Sequence, residues 1–406
     1  MVQTCRVCDE LLVEVIDFGK QPLGNGFLSS ENFDTEYFFH MRAGFCEISK
    51  MFQLIEQPSP ELMFHDKYAF YSSTSKHMQD HFKTFADSLM DSGYLDNNPL
   101  IVELGCNDGI LLKNFVSKGF RTLGIEPSEN VAKVANSHGI ETIVEFFDEK
   151  LADDIVRKYG TVDAFLSANV MCHIPDINSV ASGIKKLLKP TGVLMFEDPY
   201  LGSVFEKCSY DQLYDEHVFL FSALSVEYLF NQHGLELIDV IPQETQGGSM
   251  RYVLAHKGAY IPKDSVRKQI EFEVSLGLDK TKTYYELADR IVKSKEDLVN
   301  LLKSLKNSGH RIVGYAATSK STTILNYCGI GPDLIEYICD TTPIKQGKYS
   351  PGVHIPVVPH SVFEHDNAKY AFLFAWNHSK EIRQKEGAYV NSGGVFITHI
   401  PKVGIL

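Results

Sequence analysis

The sequence has few cysteines, no long apolar run and no excess of positive charge. Its 8 cysteines are scattered over 406 residues, unlike the disulfide framework of a small secreted protein. No apolar run approaches the length of about 18 residues that spans a bilayer, and the amino terminus lacks the pattern of a secretion signal. The formal net charge of -13 argues against a nucleic-acid scaffold, because proteins that follow phosphate backbones are basic. We therefore expect reduced thiols, a cytoplasmic location and neither a membrane nor a nucleic-acid partner.

The chain is long enough for two or three domains, and its pattern changes along its length. Its 44% hydrophobic and 22% charged residues are typical of globular proteins. Short runs broken by glycine and proline come first. Apolar strands and amphipathic helices then alternate, as in a parallel sheet covered by helices. A charged helical stretch at 264–308 precedes a second alternating region. We predict an α/β protein with three domains, 1–60, 61–260 and 261–406.

A glycine-rich turn follows the first strand of the central region. The order is an apolar run, a turn, a helix and a second apolar run. The candidate residues in and around the turn are Glu103, Gly105, Asn107, Asp108 and Gly109, and Glu126 ends the second apolar run. In nucleotide-binding half folds such glycines let a ligand approach the backbone and such an acid binds ribose hydroxyls. The spacing is not Gly-x-Gly-x-x-Gly, which disfavours an NAD-dependent oxidoreductase. It resembles the first motif of class I S-adenosylmethionine methyltransferases, although an ordinary tight turn is the alternative.

Acidic, phenolic and imidazole side chains are concentrated between Asp211 and His217. Histidine is the side chain whose ordinary pKa lies closest to neutral pH, so His217 is the candidate general base. Glu216 or Asp215 is placed to orient it, and Tyr214 to bond a developing oxyanion. A solvated acidic loop is the alternative. Tyr200 lies just beyond a strand that ends at the ligand-binding edge expected of such a sheet.

The second alternating region carries cations where a helix is predicted to begin. A strand runs into small residues, and Ser319 and Lys320 then open the helix. Backbone N–H groups and a lysine at a helix start form a natural cradle for phosphate. Lys345 and Lys348 add two further cations near the end of the next strand. The alternative is a surface loop that happens to carry lysines.

Cys5, Cys8 and Cys46 resemble part of a zinc site. Structural zinc usually takes four ligands from two Cys-x-x-Cys pairs, but Ser49 stands where the fourth cysteine is expected. Serine is a poor zinc ligand at neutral pH. His40 or another side chain is the candidate fourth ligand, and reduced cysteines packed without metal are the alternative.

Taken together, eight segments resemble the sugar C-methyltransferases that add a branch methyl group to nucleotide-linked 4-keto-deoxysugars. These segments are Cys5/Cys8 with 22–25, 70–73, 103–109, 168–176, 214–217, 247–251, 314–320 and 345–352. The family has an amino-terminal zinc lobe, a central S-adenosylmethionine domain of Rossmann-like fold and a carboxy-terminal Rossmann-like domain that helps to hold the sugar nucleotide. The resemblance therefore implies S-adenosylmethionine and a nucleotide-linked sugar as ligands.

The resemblance also implies roles for individual residues. A ketone at C4 acidifies the C3–H bond, and His217 matches the proposed base, with Glu216 beside it and Tyr214 as oxyanion or acid partner. Tyr71 and Tyr214 are the next candidates for the base. Asp215 departs from the family, which often has histidine there. Asn169 joins the cofactor-binding set, and the implied substrate contacts are Tyr68, Ser72, Ser73, Tyr200, Gly248, Arg251, Ser319, Lys320, Lys345 and Lys348. Methylation of oxygen or nitrogen on a small polar molecule, or binding of S-adenosylmethionine and a nucleotide without chemistry, are the alternatives.

Overall fold

A computed structural model describes residues 3–64 and 71–406 of the chain. Within them the strands, in chain order, are β1 Val13–Pro22, β2 Phe38–Cys46, β3 Met51–Leu54, β4 Leu100–Leu104, β5 Arg121–Ile125, β6 Thr142–Ile143, β7 Val162–Ala168, β8 Leu188–Pro199, β9 Phe219–Leu220, β10 Leu235–Gln243, β11 Ser249–His256, β12 Ile312–Tyr315, β13 Ile338–Asp340, β14 Val357–Pro359, β15 Tyr370–Leu373, β16 Val395–Thr398 and β17 Gly404–Ile405.

The α-helices are α1 Pro60–Met63, α2 Lys76–Met90, α3 Leu112–Val116, α4 Glu129–Ser137, α5 Glu149–Tyr159, α6 Ile177–Leu187, α7 Leu201–Lys207, α8 Ala223–Gln232, α9 Asp264–Ser275, α10 Thr281–Asn307, α11 Ser319–Cys328, α12 His360–Glu364, α13 Ser379–Lys385 and α14 Gly387–Asn391. None of the helices in the described ranges combines the length and the apolar character that a membrane crossing requires.

The central domain is a seven-stranded sheet with the order β10-β11-β8-β7-β4-β5-β6. Strands β6, β5, β4, β7 and β8 are parallel, whereas β11 runs antiparallel to both of its neighbours. All five residues of β4 are buried, as expected for a central parallel strand covered on both faces. The predicted alternation of strands and helices is confirmed, and the carboxyl ends of the parallel strands meet at one edge of the sheet.

The amino-terminal lobe is a four-stranded antiparallel sheet whose fourth strand comes from a later part of the chain. Its order is β1-β2-β3-β9, and β9 lies far beyond the lobe in sequence, just after His217. Phe52 and Gln53 of β3 pair with Leu220 and Phe219. The lobe sheet is therefore incomplete without the segment that carries the predicted base.

The carboxy-terminal domain is a second Rossmann-like sheet, ordered β14-β13-β12-β15-β16-β17, in which only β17 is antiparallel among the described strands. The predicted helical stretch is two helices, α9 and α10. They are separated by a turn in which Gly277 has a φ of +74° and an added Cβ would lie 2.7 Å from Thr283 Oγ1. Helix α10 contacts β1, β2, α11 and β12. It thereby joins the amino-terminal lobe to the carboxy-terminal domain.

Candidate active site

A cleft of about 400 Å³ lies where the three parts of the chain meet. Asn25 reaches it from the amino-terminal lobe, and Gln246 lies on the loop between β10 and β11. The residues predicted from sequence that line the cleft are Ser72, Gly105, Asn107, Glu126, Asn169, Tyr214, Glu216, His217, Ser319, Lys320 and Lys345. Side chains that lie far apart in the sequence are thus brought to one cavity.

The glycines of the turn after β4 lie close against other side chains of the protein, Gly105 at the cleft and Gly109 outside its described lining. Gly105 has a φ of +69°, and an added Cβ would lie 2.3 Å from Val170 Cγ2. Gly109 has a φ of +81°, and its Cβ would lie 2.3 Å from Ile140 Cδ1. Both positions therefore require glycine for backbone conformation and for space. Asn107 also adopts the left-handed region, with a φ of +50°.

Glu126 lies beyond the carboxyl end of β5 and is bonded to the turn. Its two oxygens accept the backbone N–H groups of Asn107 at 3.1 Å and Ser128 at 2.8 Å. Burial raises the pKa of this carboxyl. A nearly buried acid at the cleft wall fits the predicted role of binding ribose hydroxyls.

Glu103, Asp108 and Ser73 are not among the described residues that line the cleft. The Asp108 carboxylate accepts the Ser73 N–H at 2.9 Å and the Ser73 hydroxyl at 2.5 Å. Ser72 N–H donates to Asn107 Oδ1 at 3.1 Å. Asn107 and Asp108 therefore hold residues 72–73 against the glycine turn. Burial raises the pKa of the Glu103 carboxyl well above its ordinary value.

His217 is a buried, neutral imidazole held by two hydrogen bonds. Its Nδ1–H donates to the Gln212 carbonyl at 2.8 Å, so Nε2 carries the lone pair and accepts the Tyr214 hydroxyl at 2.7 Å. Burial, and then the neighbouring His173 and Lys320, lower the pKa of His217 well below its ordinary value. The ring of His173 stacks on that of His217 with centroids 5.3 Å apart. The imidazole is therefore uncharged at neutral pH and able to accept a proton.

The two acids before His217 bond to the amino-terminal lobe. Asp215 Oδ1 accepts the Gly24 N–H at 2.8 Å, and Glu216 Oε1 accepts the Asn25 side-chain amide at 2.8 Å. We predicted that one of these carboxylates orients the imidazole. In the structure the Gln212 carbonyl does so instead. The sequence could not predict this, because every residue has a backbone carbonyl and none is distinguished by its side chain.

Helix α11 presents its first turn to the cleft. Thr318 caps it by accepting the Ser321 N–H, and Ser319 and Lys320 line the cavity. Lys320 Nζ donates to Gln246 Oε1 at 2.9 Å, and burial lowers the pKa of Lys320 to about 8. Lys345 Nζ donates to the Ala317 carbonyl at 2.8 Å. Sequence analysis did not predict Gln246 as a site residue, because a single glutamine next to a glycine turn carries no recognisable signal.

Other predicted substrate contacts lie away from the cleft lining. The guanidinium of Arg251 is buried and bonds Glu197 at 2.8 Å, with His81 on the other Glu197 oxygen at 2.7 Å. The Tyr200 hydroxyl accepts the Gln269 amide at 2.6 Å.

Gly248 and Lys348 are not among the described residues that line the cleft. An added Cβ on Gly248 would clash with Ser203. Tyr71 accepts the Asn130 amide at 3.0 Å. Tyr68 lies outside the described residues.

Three cysteines of the amino-terminal lobe form a second cluster. The sulfur atoms of Cys5, Cys8 and Cys46 lie within 4.8 Å of one another, and those of Cys8 and Cys46 are 3.7 Å apart. Two thiolates on a tetrahedral zinc ion with bonds of about 2.3 Å lie about 3.8 Å apart. Ser49 Oγ lies 3.2 Å from Cys5 Sγ. These residues fit a zinc ion, which Cys5, Cys8 and Cys46 would hold.

Comparison with known proteins matches each part of the chain. Residues 244–401 match a family model described as a C-methyltransferase C-terminal domain, 76–240 a methyltransferase domain and 5–64 a zinc binding domain. The chain is 31% identical over 409 aligned positions to the C-methyltransferase NovU of Streptomyces niveus, covering 100% of this chain and 97% of the relative.

Two further relatives match smaller parts of the chain. A ubiquinone biosynthesis O-methyltransferase of Colwellia psychrerythraea is 30% identical over 24% of this chain and 40% of its own length. A solved S-adenosylmethionine-dependent methyltransferase of Anabaena variabilis is 18% identical, with a TM-score of 0.36, over 44% of this chain and 86% of the other.

The sheet order, the glycine turn and the matched methyltransferase domain define an S-adenosylmethionine-dependent methyltransferase of class I. Within that class the chain belongs to the C-methyltransferases, since it matches NovU over its whole length. The predicted fold class, enzyme class and cofactor are confirmed.

Proposed function

We propose that the enzyme methylates a carbon next to the C4 ketone of a nucleotide-linked deoxysugar. The observation that carries this proposal is the neutral, buried His217, whose Nε2 accepts a hydrogen bond at the cleft. Carbon becomes a nucleophile only after it loses a proton, and a carbonyl neighbour makes that proton acidic. S-adenosylmethionine, when bound, supplies an electrophilic methyl group on a sulfonium sulfur.

The remaining residues are assigned by their positions at the cleft. His217 takes the proton, and Tyr214, bonded to Nε2, adjusts as that nitrogen becomes a donor. Glu126 and the turn at Gly105 support the cofactor's nucleoside. Lys345, the first turn of α11 and Ser72, which also line the cleft, are assigned to the sugar nucleotide. Its anionic diphosphate suits cations and helix N–H groups.

The resemblance to sugar C-methyltransferases favours C3 as the position of the new methyl group. A ketone at C4 acidifies C3–H and C5–H alike, so the position is decided by how the sugar lies against His217. Carbon NMR of the product made with labelled S-adenosylmethionine distinguishes the two carbons.

The test offers the enzyme keto and reduced forms of several nucleotide-linked deoxysugars in deuterated buffer. The wild-type protein is expected to methylate only keto forms and to exchange the hydrogen next to the ketone. His217→Ala is expected to lose about 10²–10⁴-fold in both reactions while S-adenosylmethionine affinity is retained. His173→Ala keeps the base and is expected to lose less. Comparable methylation of a reduced sugar would replace this proposal with O-methylation.

A further inference from the structure

Lys320 is a buried cation outside every ion pair that the structure describes. Only 8% of the residue is exposed, and none of the ion pairs found among residues 3–64 and 71–406 includes it. Within the same ranges its ammonium donates one hydrogen bond, to Gln246 Oε1 at 2.9 Å. An ammonium has three N–H donors, and burying a charge without a partner is costly. Such a group indicates that an anion or a partial negative charge completes its surroundings.

Lys320 is linked to the candidate base rather than isolated on the carboxy-terminal domain. His217 Nδ1 donates to the Gln212 carbonyl, and the Gln212 amide donates to the Gln246 carbonyl. The side chain of Gln246 then accepts from Lys320. The two residues are also close enough for the Lys320 charge to lower the pKa of His217.

The carboxy-terminal domain is bonded to residues 211–217, here called the base loop, at two further points. Thr323 Oγ1 donates to the Leu213 carbonyl at 2.8 Å, and Trp376 Nε1 donates to Asp211 at 2.6 Å. Both bonds connect the carboxy-terminal domain to the part of the base loop that precedes His217. The position of Lys320 relative to His217 is therefore set by the fold and not by a mobile side chain alone.

Lys345 has different surroundings. Its Nζ donates to the Ala317 carbonyl and lies 4.7 Å from the centroid of the Phe27 ring. The charges that act on it are Asp340 and Glu216. The two lysines that line the cleft in the described part of the chain thus occupy separate positions, one next to the base and one next to the amino-terminal lobe.

We propose that Lys320 is a catalytic residue that stabilises the oxygen of the enolate formed when His217 removes the proton. In this step the C–H bond breaks and its electron pair forms a carbon–carbon double bond. The carbonyl π pair moves to oxygen, where the ammonium donates a hydrogen bond, and the proton goes to His217 Nε2. The net charge is unchanged and no oxidant is needed. Lys345 is left to bind the diphosphate. This inference rests on the proposed function.

Hydrogen–deuterium exchange next to the ketone tests the assignment without methyl transfer. The assay uses the keto sugar nucleotide accepted by the wild-type enzyme, with S-adenosylhomocysteine present, and affinity is measured separately by calorimetry. Lys320→Met is expected to lower the saturated exchange rate by about 10²–10³-fold, as for loss of an oxyanion donor, with sugar-nucleotide affinity within about threefold. Lys345→Met, the matched control, is expected to weaken affinity with a smaller effect on saturated exchange.

The pH profile gives a second readout. Burial lowers the pKa of Lys320 to about 8, so wild-type exchange per unit of free substrate is expected to fall as pH rises through that value. Lys320→Arg keeps its charge and should move this limb to higher pH. Three titratable groups interact electrostatically with Lys320, namely Asp211, His217 and His378. None of them is altered in this variant.

Three outcomes separate the possibilities. Absence of exchange by the wild-type enzyme on every keto sugar refutes the proposed function itself. Wild-type exchange that Lys320→Met retains refutes the role of Lys320 alone. If Lys320→Met keeps the exchange rate at saturating substrate but weakens affinity more than about tenfold, Lys320 binds the diphosphate instead. That result also overturns the inference. Unchanged circular dichroism and S-adenosylhomocysteine affinity show that each variant is folded.

Discussion

The bond between Asp215 and Gly24 allows a direct test of how the amino-terminal lobe is held. Gly24 N–H donates to Asp215 Oδ1 at 2.8 Å, and the Gly24 carbonyl accepts the Thr322 hydroxyl at 2.8 Å. Asp215 is buried, so Asp215→Ala leaves the N–H without an acceptor. An unsatisfied buried donor costs about 1–3 kcal/mol. Asp215→Asn keeps an oxygen in the same place and should cost less than Asp215→Ala.

Changing the pH separates the hydrogen bond from the charge. Burial, and then the neighbouring Glu216, raise the pKa of Asp215 above the ordinary carboxyl range. The folded protein therefore binds more protons here than the unfolded chain, and this carboxyl makes stability fall as pH rises from about 4 through the raised pKa. Asp215→Asn has no such charge. Its stability relative to wild type is expected to be greater at pH 8 than at pH 5.

Urea unfolding followed by tryptophan fluorescence measures both effects. Trp376 is the single tryptophan of the chain, is buried and bonds Asp211, so its emission reports the contact between the carboxy-terminal domain and the base loop. Circular dichroism on the same samples follows the whole chain. A stability of Asp215→Ala equal to that of wild type would refute the reasoning, as would an Asp215→Asn variant that gains nothing on going from pH 5 to pH 8.

Three further outcomes are expected. Glu126→Ala should weaken S-adenosylmethionine affinity by about 1–3 kcal/mol, as for a hydrogen bond to a charged group, and unchanged calorimetric affinity would contradict this assignment. Gly105→Ala should abolish cofactor binding because its Cβ would lie 2.3 Å from Val170 Cγ2, whereas Gly119→Ala, at a φ of +79° with nothing near its Cβ, is the control that should bind as wild type does. Metal analysis should find about one equivalent of zinc in the protein and none in Cys46→Ser, and less than about a tenth of an equivalent in wild type would mean that the cysteine cluster binds no structural zinc.

The sequence was most informative where local pattern determines structure. Strand β4 is an uninterrupted buried run, and the positive φ values at Gly105 and Gly109 explain why glycines follow it. The edge of a parallel sheet collects the carboxyl ends of its strands, so the sequence predicts that Glu126 and His217 lie near one ligand. Both line the cleft.

Pairings between distant residues could not be predicted in the same way. Arg251 has the composition of a substrate contact, but its bond to Glu197 forms across two strands that are adjacent only after folding. Asp108 lies between two residues of the cofactor turn, yet its side chain is directed to Ser73. Spacing along the chain does not show which way a side chain in an irregular turn points.

The loop that carries His217, the proposed base, is bonded to both outer domains. His217 lies on a loop whose next residues pair with the amino-terminal sheet through Leu54 and β9. The acids before it bond to Gly24 and Asn25, while α11 is fixed to the same loop by Thr323. A carbanion equivalent must be protected from solvent protons until methyl transfer. The contacts that complete the lobe sheet and join the loop to α11 surround His217, of which only 3% is exposed, and so keep bulk water from its imidazole.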